Sequence, residues 1–114
     1  MAGFSRLSNS HIVTRAVDGN LTAVTAEPLF VAPRQMTLRS ARVDDATAPT
    51  GTAETHTVLV DAVSAVVLSQ ATTVASDSDT SLNVTVPAGG RITVTTVVGG
   101  TSAGVDPVLT LELD

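Results

Sequence analysis

The stretch that decides the fold is Ser81-Leu82-Asn83-Val84-Thr85-Val86, Pro87-Ala88-Gly89-Gly90, Arg91-Ile92-Thr93-Val94-Thr95. Before the Pro/Gly run, Leu82, Val84 and Val86 alternate with Asn83 and Thr85. After it, Ile92 and Val94 alternate with Thr93 and Thr95. A period of two sends the two sets to opposite faces of a pleated strand. Pro fixes φ and Gly admits left-handed backbone, so the four residues between are a turn. Alternating runs cut by such a turn read as half-buried strands of antiparallel β structure.

The same beat runs outward in both directions. Over 35–43, Met36 and Leu38, with Ser40 next in phase, point one way, and Thr37, Arg39 and Ala41 the other. Over 55–60, His56, Val58 and Val60 share one face, and Thr57 and Leu59 the other. Leu109, Leu111 and Leu113 alternate over 108–113. The runs 63–69 and 72–75 are apolar without alternation, and their valines favour strand over helix. Residues 76–80 read as a polar acidic turn, 44–53 as a loop, and Gly99 to Gly104 as a flexible hairpin loop. Short strands at intervals of about 8–12 residues, punctuated by Gly and Pro, predict an all-β antiparallel β-sandwich or jelly roll.

Residues 1–34 read differently. Residues 1–9 form an arm, and 10–17 and 21–27 form strand runs on either side of Asp18-Gly19-Asn20, a hairpin signal. Pro28 and Pro33 bracket 29–32 as an edge or a connection. The expected organisation is a partner-docking arm and hairpin over 1–34, then a sandwich over 35–114.

Composition narrows the function. The chain has 114 residues, a length suited to one domain, and 43% of them are hydrophobic, with Phe4 and Phe30 the only aromatic rings of the Phe, Tyr and Trp type. Val, Leu and Ala must build the core with less area per side chain than aromatics supply. A thin core points to a partner that covers part of the apolar surface. There is no cysteine, hence no disulfide scaffold or thiolate chemistry. The net charge of −5, carried against six Arg and no Lys, argues against nucleic-acid binding, which needs a basic stripe. No run of about 20 apolar residues marks a membrane span. The N-terminus lacks the apolar core of a secretory signal, so synthesis in a cytoplasm is expected.

Chemistry is sparse. His11 and His56 lie in different strand runs with no nucleophile motif beside either, so the chain reads as no enzyme, with no catalytic residue. Asp77-Ser78-Asp79 resembles a calcium loop but lacks its Gly and distal Glu. No metal or cofactor is expected. Asn20-Leu21-Thr22 and Asn83-Val84-Thr85 match a glycosylation acceptor pattern without a secretory context. The lack of Trp and Tyr weighs against a carbohydrate-binding module. Arg is enriched at interfaces where Lys is depleted, and Arg6 and Arg15 are read as docking the arm onto an acidic partner. The candidate partner-binding set is Phe4, Arg6, His11, Arg15, Phe30 and Arg34.

From Leu38 onward the chain resembles a jelly-roll module found in small structural proteins of tailed bacteriophages. The resemblance is carried by Ala48-Pro49-Thr50-Gly51 before a strand, Thr57-Val58-Leu59-Val60-Asp61, Val86-Pro87-Ala88-Gly89-Gly90-Arg91-Ile92-Thr93-Val94, and the glycine loop 99–104 leading to Val108-Leu109-Thr110-Leu111. It covers about two-thirds of the chain. Residues 1–34 match no such pattern, and 64–79 depart from it. The resemblance implies a virion protein: a head decoration (cement) protein on the capsid exterior, with the major capsid protein as partner and a homo-oligomer, a trimer by preference, as its state. The alternative it implies is an adhesive or receptor-binding module of a tail or head fibre.

Overall fold

The computed structural model describes residues 11–51, 53–98 and 103–114. It consists of nine strands and no helix among those residues: β1 His11–Ala16, β2 Val24–Val31, β3 Met36–Asp44, β4 Glu54–Val60, β5 Val63–Gln70, β6 Ser76–Asp79, β7 Val84–Val86, β8 Arg91–Val97 and β9 Val108–Leu113. One sheet runs β1-β9-β3-β6, with β7 also paired to β3. The second runs β2-β8-β4-β5. All pairings are antiparallel. With β6 and β7 taken as one interrupted strand along β3, the order is that of an eight-stranded jelly roll, two Greek keys folded into facing sheets.

The core lies between the sheets. Met36, Leu38, Ala41 and Val43 of β3 and Leu109, Leu111 and Leu113 of β9 face Val58 and Val60 of β4, Leu68 of β5, and Ile92 and Val94 of β8. Most of these side chains are wholly buried, and Phe30 packs only at the margin. The core is aliphatic, as the composition requires.

Four expectations change. The first is the hairpin over 10–27. β1 pairs with β9, His11 opposite Leu113, whereas β2 pairs with β8 in the other sheet. Gly19 does take positive φ (+83°), but its turn binds across to Asp106. Gly19 N donates to Asp106 Oδ1 (2.6 Å) and Asp106 N to Gly19 O (2.8 Å). The segment from 17 to 23 therefore carries the chain from one sheet to the other. The proposed arm, 1–9, lies outside the described residues.

The second concerns β3. A bulge between Leu38 and Ser40 shifts its register against β9. An extra residue flips the side-chain phase, so Ala41 and Val43 follow Leu38 inward. Arg39 and Arg42, expected on opposite faces, are both exposed. The third is the acidic turn over 76–80, which is strand β6 and pairs Ser76–Asp79 with β3. An edge strand tolerates such polar residues because only one side must enter a ladder. Asp77 Oδ2 also accepts the Ser69 amide (2.8 Å). The fourth is the run 72–75. It forms a turn in which Val74 N donates to Ala71 O and Thr73 takes φ +68°.

Pro28 lies within β2, an edge strand whose register against β8 is interrupted twice, in keeping with its missing amide. The β4–β5 connection is a two-residue loop, Asp61-Ala62, with both residues at positive φ (+48° and +66°). That is the geometry of a type I′ hairpin turn. Asp61 also ties this turn to β8, since its Oδ1 accepts Arg91 N and its own N donates to Arg91 O (both 2.9 Å). Ala62 has no such compensation. A non-Gly residue there costs about 1–2 kcal/mol, part of which Gly's greater unfolded-state entropy would offset. Ala62→Gly is expected to stabilise the fold by about 0.5–1 kcal/mol, read as a higher chemical-denaturation midpoint at unchanged slope.

Candidate interaction faces and a buried polar cluster

The two sheets present different outer faces. On β4, β5 and β8 the outward side chains form cross-strand rows: Thr55 between Val97 and Ser69, Thr57 between Thr95 and Val67, and Leu59 beside Thr93. These rows contain no charge. Val67 is 55% and Val97 58% exposed, and Val63 at the start of β5 is 68% exposed. At the foot of this face, Ala26, Leu59, Asp61, Ala62, Gly89, Arg91 and Thr93 line a shallow depression of about 600 Å³.

The other sheet's outer face is polar. Thr110 stands between Thr14 and Arg42, and Glu112 between Ile12 and Ser40. Arg42 holds Asp44 through two bonds (2.6 and 3.0 Å), and Arg39 reaches Asp114 (3.1 Å) and Asn83 (3.2 Å). Both arginines of this face are paired in water, where such pairs contribute little to stability, and Glu112 stands without an ion pair among the described residues.

Of the expected partner-binding set, Phe4 and Arg6 lie outside the described residues. The structure places His11, Arg15 and Phe30 at two points along the seam where edge strands β1 and β2 meet. The His11 and Phe30 rings stand 6.2 Å apart, tilted by 52°. Arg15 Nη2 lies 2.5 Å from Glu27 Oε2. These side chains close the seam between the sheets, and Arg15 spends its charge on Glu27 within the chain. Arg34 is on the β2–β3 connection, bonded to Gln35 O (3.3 Å). Asp77 and Asp79, the would-be calcium residues, bond to neighbouring amides: Asp77 to Ser69 and Ser78, and Asp79 to Ser81. Among the described residues, no three His, Asp or Glu side chains converge as metal ligands.

Sequence reasoning missed a polar cluster inside the sandwich, at the end where the β3–β4, β5–β6 and β8–β9 connections meet. Glu54, His56, Gln70 and Thr96 are all but fully buried and Asp45 is 8% exposed. Gln70 Nε2 donates to Ala75 O (2.7 Å), so its Oε1 faces His56 and accepts from the ring Nε2 (2.9 Å). His56 Nδ1 meets Thr96 Oγ1 (3.1 Å). Glu54 Oε1 accepts the Gly104 amide (2.5 Å). Among the described residues Glu54 Oε2 has no partner, and the Asp45 oxygens make no hydrogen bond of good geometry, with only the Gln70 amide close enough to favour the Asp45 charge as a donor. The signal was present in the alternation: the inward phase of His56, Val58 and Val60 extends back to Glu54, and that of Ala41 and Val43 forward to Asp45.

Burial is the main force pushing the Asp45 carboxyl above its ordinary range. Glu54 and Asp44 push the same way, while the Gln70 amide and the His56 charge oppose them. Gly104 makes the cluster compact, because Asp45 Oδ2 occupies the space a Cβ would need and Glu54 Oε2 is 3.1 Å from it.

Comparisons with known proteins add little beyond the architecture. No family model matches the chain, and no curated protein matches it. A solved structure, "Structure of infectious bursal disease virus Gt strain", aligns over 91% of this chain at 12% identity with a TM-score of 0.40. The chain spans only 32% of the length of that protein.

Gly104→Ala is expected to destabilise the fold by about 1–3 kcal/mol, the range for forcing a methyl into a packed interior. Thermal unfolding of the two proteins at one pH checks it. An unchanged midpoint would mean that Asp45 turns away freely.

Proposed function

We propose that this chain is a non-enzymatic virion structural protein, a decoration (cement) protein that docks on the outer face of a phage head and stabilises capsomer junctions. The observation that carries the reading is the outer face of the β2-β8-β4-β5 sheet, with its uncharged Val/Thr rows and exposed valines. Several exposed valines set among uncharged threonines on one sheet face offer a surface that a partner could cover. The opposite sheet, with its polar and charged side chains, suits the solvent side. The resemblance of the turn motifs to tailed-phage modules supplies the partner, the major capsid protein. Burial of each Val/Thr face would add roughly 25 cal/mol per Å² of apolar area, repeated over many copies. Trimers fit three-fold capsid positions.

Co-sedimentation with phage heads lacking the protein tests this. Wild type is expected to bind saturably, and Val67→Asp with Val97→Asp to abolish binding while leaving the fold intact by circular dichroism. Full binding by the double variant would put the docking face elsewhere. Wild-type binding to host cells or glycans but not to heads would replace this reading with the adhesive one.

A further inference from the structure

Two carboxylates that share a dry site cannot both stay ionised without a counter-charge. Asp45 and Glu54 are such a pair. Both are at least nine-tenths buried; among the described residues Glu54 Oε2 has no partner, and the Asp45 oxygens have none beyond the nearby Gln70 amide. Both side chains converge on Gly104: Asp45 Oδ2 touches its Cα side, and Glu54 Oε1 holds its amide. The charged and titratable groups that bear on Asp45 are Glu54 and His56 of β4 and Asp44 of β3. Gln70 of β5 and Thr96 of β8 complete the surroundings, and both are bonded to His56. No arginine is among them. His56 is turned toward Gln70 and Thr96, so it gives neither carboxylate a hydrogen bond.

We propose that Asp45 keeps its proton in the folded protein, beside Glu54, and that losing it unlatches the Gly104 segment from the end of the sandwich. The proton removes one of the two negative charges from the dry site. With it gone, two negative charges face each other in a dry site, and the cheapest relief is to move the Gly104 segment and admit water. That segment is the keystone of this end. Leu21 N donates to Gly104 O (2.9 Å), Ala46 N to Val105 O (2.8 Å), and Val105 N to Thr47 O (3.0 Å). Its release frees the β1–β2 and β3–β4 connections together.

The direction follows from linkage. A carboxyl whose proton is held more tightly in the folded state makes that state bind more protons than the unfolded chain. Stability is then full below the ordinary carboxylate range and declines as pH rises through the folded-state titration.

Amide exchange of Gly104 and Val105, read by NMR between pH 5 and 9 as protection factors, tests the latch. In wild type the Gly104 protection factor is expected to fall with rising pH, by at most tenfold per pH unit, the limit for one proton. Asp45→Asn keeps the shape and removes the titration, so its Gly104 protection should stay flat, and Glu54→Gln gives a second neutral variant should the first fail to fold. Flat protection in wild type overturns the proposal, as does the same decline in both variants. A decline that vanishes in His56→Gln but persists in Asp45→Asn assigns the titration to the imidazole instead. If calcium chloride restores protection at high pH in wild type but not in Asp45→Asn, the pair holds a cation where we place a proton.

Discussion

The fold depends on strand β9 hydrogen-bonding on both sides. It pairs with β1 from His11↔Leu113 to Ala16↔Val108 and with β3 from Leu38↔Leu113 to Asp44↔Val108. Its inward leucines, 109, 111 and 113, are at most 4% exposed and meet the facing sheet. Without β9, β1 has no ladder and β3 loses one of its two neighbours. Both pairings join residues far apart in sequence, so loop-closure entropy must be spent before either contributes. The small turns at Asp61-Ala62 and Pro87–Gly90 shorten that search, because they fix β4 against β5 and set the start of β8 locally.

Local chemistry explains what the sequence made legible. Alternation over 82–86, 91–97 and 108–113, and the Pro-Ala-Gly-Gly turn, are properties of neighbouring residues, and the structure follows them. The Asp18-Gly19 signal was equally local, yet it misled. The backbone does turn at Gly19, but β1 gains more from joining the multi-stranded sheet beside β9 than from an isolated hairpin with β2, which is marginal in water. The β3 bulge was invisible because nothing in Leu38-Arg39-Ser40-Ala41 marks an extra residue. Only the burial of Ala41, opposite Leu111, reveals it. β6 was hidden for a related reason: Ser and Asp are poor strand formers, and their place is set by β3, not by propensity.

The Arg residues show how position decides role. Arg15 appeared free to anchor an arm on a partner, but its strand carries it inward to Glu27 at the sheet seam. Arg39 and Arg42, brought to one face by the bulge, pair with Asp114 and Asp44. The polar sheet thus pairs its arginines within the chain, and the central rows of the other sheet carry no charge and keep Val67 and Val97 exposed. Such a division between two faces of one sandwich is what a protein that lies flat between a surface and solvent requires. It places the candidate interface on side chains that the sequence reading treated only as the outward half of an alternation.

Asp45 and Glu54 pose the opposite problem, charges put where a jelly roll needs apolar filling. The neighbouring inward positions, Val43, Val58 and Leu111, show what filling would look like. A pair of valines would satisfy packing at lower desolvation cost, but could not hold the Gly104 amide, which Glu54 does, nor respond to its surroundings. The cluster also lies where four connections must be pinned with few apolar contacts, since the described segments 17–23, 45–51, 71–75 and 103–107 are bound mainly by backbone hydrogen bonds. Local stability is lowest where such bonds are solvent-accessible and apolar burial is thin. An acid pair beneath that end couples its weakest region to a single proton, while the aliphatic core around Leu38, Val58 and Ile92 has no titratable group to respond with.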